Sequence, residues 1–151
     1  MITQPSCTRT LEVIRHELRT TVASACTDQA AQTALGMIDA MLVTVIARCD
    51  HEVAWMREEI AQIETAADAV VTAGADPDGR VAEALGTLRT HRSASDHTAD
   101  VRAEYDRAGE LLSRALEAGT TAGLGDVVRA VLQARLDREL EIRGDFALVG
   151  R

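Results

Sequence analysis

The sequence predicts an all-α protein, a four- to five-helix antiparallel bundle built on one long helix from about residue 28 to residue 73. Apolar residues between Leu35 and Val70 recur every three or four positions, which keeps one side of a helix apolar along its length. Neither proline nor glycine interrupts residues 37 to 73. Phe, Tyr and Trp occur once each, so aliphatic side chains must fill the core, and that favours packing of helix on helix.

The apolar pattern of the long helix contains one irregular step. From Cys49 the next apolar residue is Val53, four positions on, whereas the alternation of three and four would place it three positions on, at Glu52. Such a phase shift indicates either a local distortion or the end of one helix and the start of another. We therefore expect a break, if there is one, near residues 49–51.

The first helix is predicted to follow a short arm of residues 1–7. Thr8 or Thr10 can cap it, because a hydroxyl accepts from the unpaired amides of the first turn. Its apolar stripe consists of Leu11, Ile14, Leu18, Val22 and Ala25. Thr27 and Asp28 then supply a turn and a cap, and so short a link predicts that the first two helices are antiparallel neighbours.

Further breaks define the remaining helices. The turn Gly74–Gly79, which contains Pro77, separates the long helix from a third helix that begins near Arg80. A polar stretch leads into a fourth helix from about Val101 to Gly119, and Asp126 is expected to cap the last helix, which Gly144 ends. We expect one domain, 1–151, whose apolar tail of residues 144–151 docks on the body or on a neighbouring subunit.

The charge of the chain limits its partners. It carries 24 acidic and 16 basic residues, a net charge of −8, and every basic residue is an arginine. An acidic surface without a basic stripe argues against nucleic acid and against anionic membranes. The most apolar run, Met37 to Ala47, is too short to span a bilayer and contains Asp39.

The cysteines indicate a reducing compartment. Cys7, Cys26 and Cys49 are an odd number and widely spaced, which is typical of reduced thiols, two of them expected to be buried in helices. The N-terminal residues lack the apolar segment of a signal peptide. We expect a cytoplasmic, bacterial protein, and the exclusive use of arginine is consistent with a GC-rich genome.

The string His16-Glu17-Leu18-Arg19-Thr20 resembles the phospho-accepting box of sensor histidine kinases, although that box continues with proline where this chain has Thr21. In that family the histidine lies on the solvent face of a four-helix dimer. The helical wheel places His16 about 160° from the apolar stripe of the first helix. His16 is therefore a candidate phospho-acceptor, and an ordinary solvated helix face is the alternative reading.

No other pattern supports a catalytic or metal site. His51-Glu52 begins like a zinc-protease motif, but Trp55 occupies the place of the second histidine. His97, Asp100 and Glu104 share a helix face that we expect to be solvated. We expect no metal and no cofactor, and Cys49 is expected to be a core residue. Arg48 and Arg57 are the candidates for binding an acidic ligand.

A family resemblance covers most of the chain. Leu11-Glu12-Val13-Ile14-Arg15, the alanine-rich stretch from Ala34 to Arg48, Leu111–Gly119 and Val128–Leu140 are similar to the successive helices of a set of small uncharacterised bacterial proteins. The genes of that family lie beside aminoglycoside-phosphotransferase-like kinases and acyl-CoA dehydrogenases. The chain departs from the family in lacking an Asn-Pro-aromatic ending. The resemblance implies an accessory partner of a kinase or dehydrogenase acting on hydroxyacyl-CoA, rather than an enzyme.

Three functions follow as hypotheses. The first is a non-catalytic interaction or accessory protein, either a homo-oligomer such as a dimer or the small subunit of a partner enzyme, because the apolar stripe exceeds what one short chain can cover. The second is a histidine phosphotransfer module using His16. The third is a small-molecule-binding bundle or enzyme with an aliphatic pocket between helices.

Overall fold

The computed structural model describes residues 4–143, without the side chain of Arg143. The structure is 82% helical, and no strand occurs in the described range. Six helices are present there: α1 Cys7–Glu17, α2 Gln29–Cys49, α3 Glu52–Thr72, α4 Arg80–Thr90, α5 Thr98–Thr121 and α6 Gly125–Arg143. The all-α prediction is confirmed.

The predicted long helix is in fact two helices, with the break in the expected place. α2 ends at Cys49 and α3 begins at Glu52. Between them, the Asp50 carboxylate accepts a hydrogen bond of 2.5 Å from the hydroxyl of Thr8. Aspartate is a weak helix former, because its side chain competes with the backbone for hydrogen bonds. The break therefore lies at a weak helix position, and the apolar repeat shifts phase at the same place.

The start of α1 differs from the prediction by a few residues. Ser6, rather than Thr8 or Thr10, caps the helix and accepts from the Arg9 amide at 3.2 Å. A π-helical stretch, Leu18–Val22, and one further turn, Ala23–Ala25, continue α1. Asp28 caps α2 as predicted, accepting from the Ala31 amide at 2.8 Å.

The chain divides into two compact units. The first comprises Met1–His51 with Glu139–Arg151, and the second comprises Glu52–Arg138. We call the second unit the helical core. In the first unit, the N-terminal hairpin is formed by α1, its continuation and α2.

The helical core is closed around aliphatic side chains. α3, α4 and α5 pack against one another, and Val128 and Val131 of α6 join the same cluster. The fully buried side chains include Ile63, Leu88 and Leu111, each 0% exposed. The predicted turn before α4 is present: Gly74 and Gly79 both adopt φ of 68°, a conformation that favours glycine.

The N-terminal hairpin is antiparallel, as the short link predicts. Thr8 at the start of α1 contacts Asp50 just after α2, Arg15 and Asp39 pair near the middle, and Gln32 donates to the Cys26 carbonyl near the link. None of residues 4–51 is buried. The hairpin is therefore held by one helix–helix seam, without a core of its own.

Two other predictions meet different outcomes. The expectation of buried cysteines is wrong, because Cys7 and Cys49 are exposed and Cys26 is half-buried. No residue of α2 is buried, so Cys49 at its end does not enter a core. α6 begins at Gly125, one residue before the predicted cap Asp126. Gly144 and the apolar tail of residues 144–151 lie outside the described residues.

Candidate functional site

Large apolar side chains are exposed over much of the N-terminal hairpin. Those of α2 that are at least 38% exposed are Met37 at 59%, Ile38 at 42%, Met41 at 65%, Val43 at 38% and Val45 at 47%. α1 and its continuation add Val13, Ile14 and Val22, each 43–46% exposed. Exposed apolar side chains are ordinary when scattered, but a contiguous set is typical of an interaction surface.

α2 has two apolar sides, which corrects the single stripe predicted from the sequence. Ala31, Leu35, Leu42 and Ile46 are half-buried on the side of α2 that carries Asp39, the partner of Arg15 in α1. Ala34, Ile38, Met41 and Val45 are exposed. At 100° per residue this second set is rotated by roughly 80° from the first. The predicted seam therefore merged residues from two different sides of α2, and within residues 4–143 only one of these sides is half-buried.

One residue of α1 extends the exposed side of α2. The half-buried residues of α1 and its continuation include Leu11, Arg15 and Leu18, and Ile14 is rotated by roughly 70° from them in the same angular sense. Antiparallel helices turn in opposite senses when viewed along one direction, so both rotations lead to the same side of the hairpin. We call this side the hairpin face and define it by Ile14, Ala34, Ile38, Met41 and Val45.

A single ion pair stabilises the seam of the hairpin. Arg15 Nε donates to Asp39 Oδ1 at 2.7 Å and Arg15 Nη2 to Asp39 Oδ2 at 3.2 Å, a bidentate arrangement. The hydrogen bond from Arg15 lowers the pKa of the Asp39 carboxyl and, reciprocally, raises the pKa of Arg15. Both side chains are about 30% exposed, 31% and 28%, so solvent screens the pair in part.

His16 is exposed on α1, as the helical wheel predicts. It lies on the side of the hairpin opposite to the hairpin face. An open groove along α1 brings together His16, Arg9, Arg15 and Arg19 with Glu12, Val13 and Thr20. Guanidinium groups near an imidazole suit an anionic group such as a phosphoryl, because arginine binds phosphate oxygens in bidentate fashion.

The two candidate arginines are engaged within the chain. Arg48 lies 3.6 Å from Glu139, and its Nε is buried without a hydrogen-bond partner. Arg57 donates to Glu104 at 2.6 Å and to the carbonyls of Ser93 and Ser95 at 2.9 and 2.8 Å. Arg57 therefore holds the segment between α4 and α5 onto α3, and these internal bonds compete with any acidic ligand.

Sequence reasoning missed two buried carboxylates in the helical core. Glu104, expected to be solvated, is 1% exposed, and besides Arg57 it accepts from the Ser93 amide at 3.1 Å. Glu59 is 6% exposed and accepts from Arg135 at 2.5 Å. The position of each glutamate on its helix could have indicated its burial. Glu59 lies three residues after the buried Met56, on the same helix side, and Glu104 shares its side with buried residues three positions before and four positions after it.

Besides burial, Glu59 contributes to the raised pKa of Tyr105, the one tyrosine of the chain. The Tyr105 hydroxyl donates to Glu59 at 2.9 Å, and the guanidinium of Arg135 lies 5.6 Å from the ring centroid. Burial, followed by the hydrogen bond to Glu59 and its negative charge, raises the pKa of Tyr105. Each buried acid of this unit is thus paired with an arginine, which is the arrangement of a structural network.

Two further tests bear on the class of protein. Among residues 4–143, no group of three or more His, Cys, Asp or Glu side chains is placed to hold a metal ion. α2 is the one described helix long and apolar enough to cross a membrane, with a mean hydropathy of 1.6 and none of its apolar window buried. This helix, Gln29–Cys49, extends beyond the run of residues 37–47, which alone is too short to span a bilayer.

Comparison of the chain with models of protein families, with curated proteins and with solved structures finds no match.

Proposed function

We propose that the protein is a non-catalytic helical interaction protein that binds its partner through the N-terminal hairpin. One observation supports this most strongly: none of residues 4–51 is buried, although α2 is among the most apolar segments of the chain. Burial of apolar surface stabilises a protein by about 25 cal/mol per Å², so a partner that covers the hairpin gains that free energy.

The family resemblance suggests what a larger partner would be. An accessory role beside a kinase or an acyl-CoA dehydrogenase acting on hydroxyacyl-CoA fits a small chain with an exposed apolar helical surface. The buried acidic side chains of the helical core are paired with arginines of the same chain. We place the protein in the bacterial cytoplasm as part of this proposal.

Light scattering on the purified chain, alone and mixed with a candidate kinase or dehydrogenase, tests the proposal. We expect a complex, with itself or with the enzyme, that Met41→Glu abolishes because a carboxylate would have to be desolvated. Val127→Glu is a matched control, since Val127 is 43% exposed in the helical core. Failure to form any complex, together with no binding of the apolar dye bis-ANS, would overturn the proposal.

A histidine phosphotransfer function is the second candidate, favoured by the exposure of His16 in a groove that Arg9 and Arg19 also line. Incubation with acetyl phosphate followed by intact-mass measurement at neutral pH should then show one added phosphoryl group. His16→Ala should abolish the adduct, and His97→Ala, which removes another exposed histidine, should retain it. No adduct in the unaltered chain would exclude this function for the donor tested.

A further inference from the structure

The partner that fits the hairpin face is a second copy of this chain. We infer that two N-terminal hairpins pair through their hairpin faces into a four-helix bundle, with His16 left on the outer surface. This inference rests on the proposed function, because it names the partner of the surface proposed above. Its basis is the dimensions of the face, its chemistry and the position of its charges.

The face has the size that a stable dimer needs. At 1.5 Å per residue α2 is about 31 Å long, and two helices packed 8–10 Å apart are about 20 Å wide. The side of the hairpin that carries the hairpin face therefore measures roughly 600 Å² per copy, and the hairpin face is its apolar central part. Two copies packed over this whole side would bury about 1,200 Å², which reaches the range of specific protein–protein interfaces. Pairing of one face with itself closes under two-fold symmetry, so the hairpin face of neither copy is left free to extend the assembly.

The chemistry of the face matches itself. Ile14, Ile38, Met41 and Val45 are aliphatic or thioether side chains, and Ala34 allows a close approach of helices. Side chains of α2 at positions 34, 38, 41 and 45 follow the alternating spacing of four and three residues that packs helices in bundles. The two charged residues of α2, Asp39 and Arg48, are already paired with Arg15 and Glu139.

A bilayer fits the hairpin less well than a second copy does. α2 satisfies the length and hydropathy of a membrane-spanning helix. However, Asp39 lies in the middle of α2 and is bound to Arg15 of α1. Insertion of the hairpin would carry the charged side of α1, which bears Glu12 and Arg19, into the hydrocarbon region, where charges are costly.

Sedimentation velocity on the full chain, from nanomolar to high micromolar concentration, tests the inference. We expect a dimer that dissociates on dilution. Val45→Glu places a carboxylate in the interface twice per dimer and should raise the dimer Kd at least ~100-fold. Val13→Glu is the matched control: Val13 is 46% exposed against 47% for Val45, but it faces away from α2, so the Kd should stay within about threefold.

Three further outcomes each decide the question. Loss of the dimer in Met41→Glu as well, with unchanged circular dichroism, would support the inference independently of Val45. A monomer that binds bis-ANS, or that floats with phosphatidylcholine vesicles, would overturn the second copy while leaving the interaction function standing. A monomer that binds neither, with α2 amides protected from exchange, would overturn both.

Discussion

The helical core and the N-terminal hairpin both contain helices with apolar stripes, but only the helical core buries these side chains fully. In the helical core, apolar stripes on three helices meet one another, and Ile63, Leu88 and Leu111 are excluded from water. In the hairpin, α2 is apolar on more than one side but packs chiefly against α1 and its continuation, and its side chains are at best half-buried. The comparison teaches that an apolar stripe predicts a helix reliably, whereas coverage of that stripe depends on how many neighbours the chain supplies.

Their charges differ in the same way. The core encloses Glu59 and Glu104 and satisfies both with arginines and backbone donors. The hairpin keeps one partly exposed pair, Arg15 with Asp39, in its seam. Burial makes the core pairs costly to disrupt, while solvent screening makes the hairpin pair nearly neutral to remove. Substitutions in the two units therefore measure this contrast.

Truncation of a buried leucine should separate the two units most clearly. Leu111→Ala, at a fully buried site, should lower the free energy of unfolding of the helical core by about 2–5 kcal/mol through a cavity. Leu42→Ala, in the half-buried seam of the hairpin, should change the same transition by less than about 1 kcal/mol. Urea denaturation followed by Trp55 fluorescence makes the measurement, and equal losses would contradict the contrast.

Removal of a buried charge should have the next largest effect. Glu104→Gln removes the buried carboxylate that Arg57 contacts at 2.6 Å and leaves the exposed Asp96, 4.0 Å away, as its ionic partner, so it should lower the free energy of unfolding by about 1.5–3 kcal/mol. Glu110→Gln, on the same helix, disrupts only the exposed pair with Arg114 and should cost less than about 0.5 kcal/mol. Equal stability of the two variants in urea would show that the buried network adds nothing.

Titration of Tyr105 should report the buried acid beside it. Its folded pKa is raised, so the associated stabilisation is fully present below the ordinary tyrosine pKa and is lost as pH rises through the folded value. Glu59→Gln should lower the midpoint toward the ordinary value, because the negative acceptor is removed. Ultraviolet difference absorbance follows this directly, since the chain has one tyrosine. An unchanged midpoint would show that burial alone raises it.

The hairpin pair should give the smallest effect. The lowered pKa of Asp39 means that its stabilisation is present above the ordinary aspartate pKa and is lost as pH falls through the folded value. Asp39→Asn should therefore cost below about 1 kcal/mol at neutral pH, and the difference from the unaltered chain should shrink as pH falls below the ordinary aspartate pKa of about 3.9. Circular dichroism of thermal unfolding at neutral pH and at acidic pH provides the comparison.

Much of the fold could be read from the sequence because it depends on local signals. Neighbouring residues in the sequence specify the cap at Asp28, the turn of Gly74 and Gly79 and the phase shift before Val53. Whether another helix covers an apolar side of α2 is not specified by neighbouring residues. Ile38 and Val45 continue the apolar spacing of Leu35 and Leu42, yet they lie on another side of α2, and nothing near them in the sequence distinguishes the two sets.

The candidate sites show the same division. The exposure of His16 followed from the period of α1 alone, so the helical wheel predicted it. The engagement of Arg57 depends on Ser93, Ser95 and Glu104, which are 36 to 47 residues away in the chain. Burial of Glu104 likewise depends on α3, so a pattern confined to α5 could not identify its partner.

Hydrogen exchange of α2 and α5 in one sample, at the lowest protein concentration that can be measured, tests directly whether the hairpin depends on a partner. We expect the amides of α2 to exchange far faster than those of α5, and to become protected as the concentration rises. If α2 is as protected as α5 even at that lowest concentration, the chain covers its own hairpin, and the interaction surface proposed here does not exist.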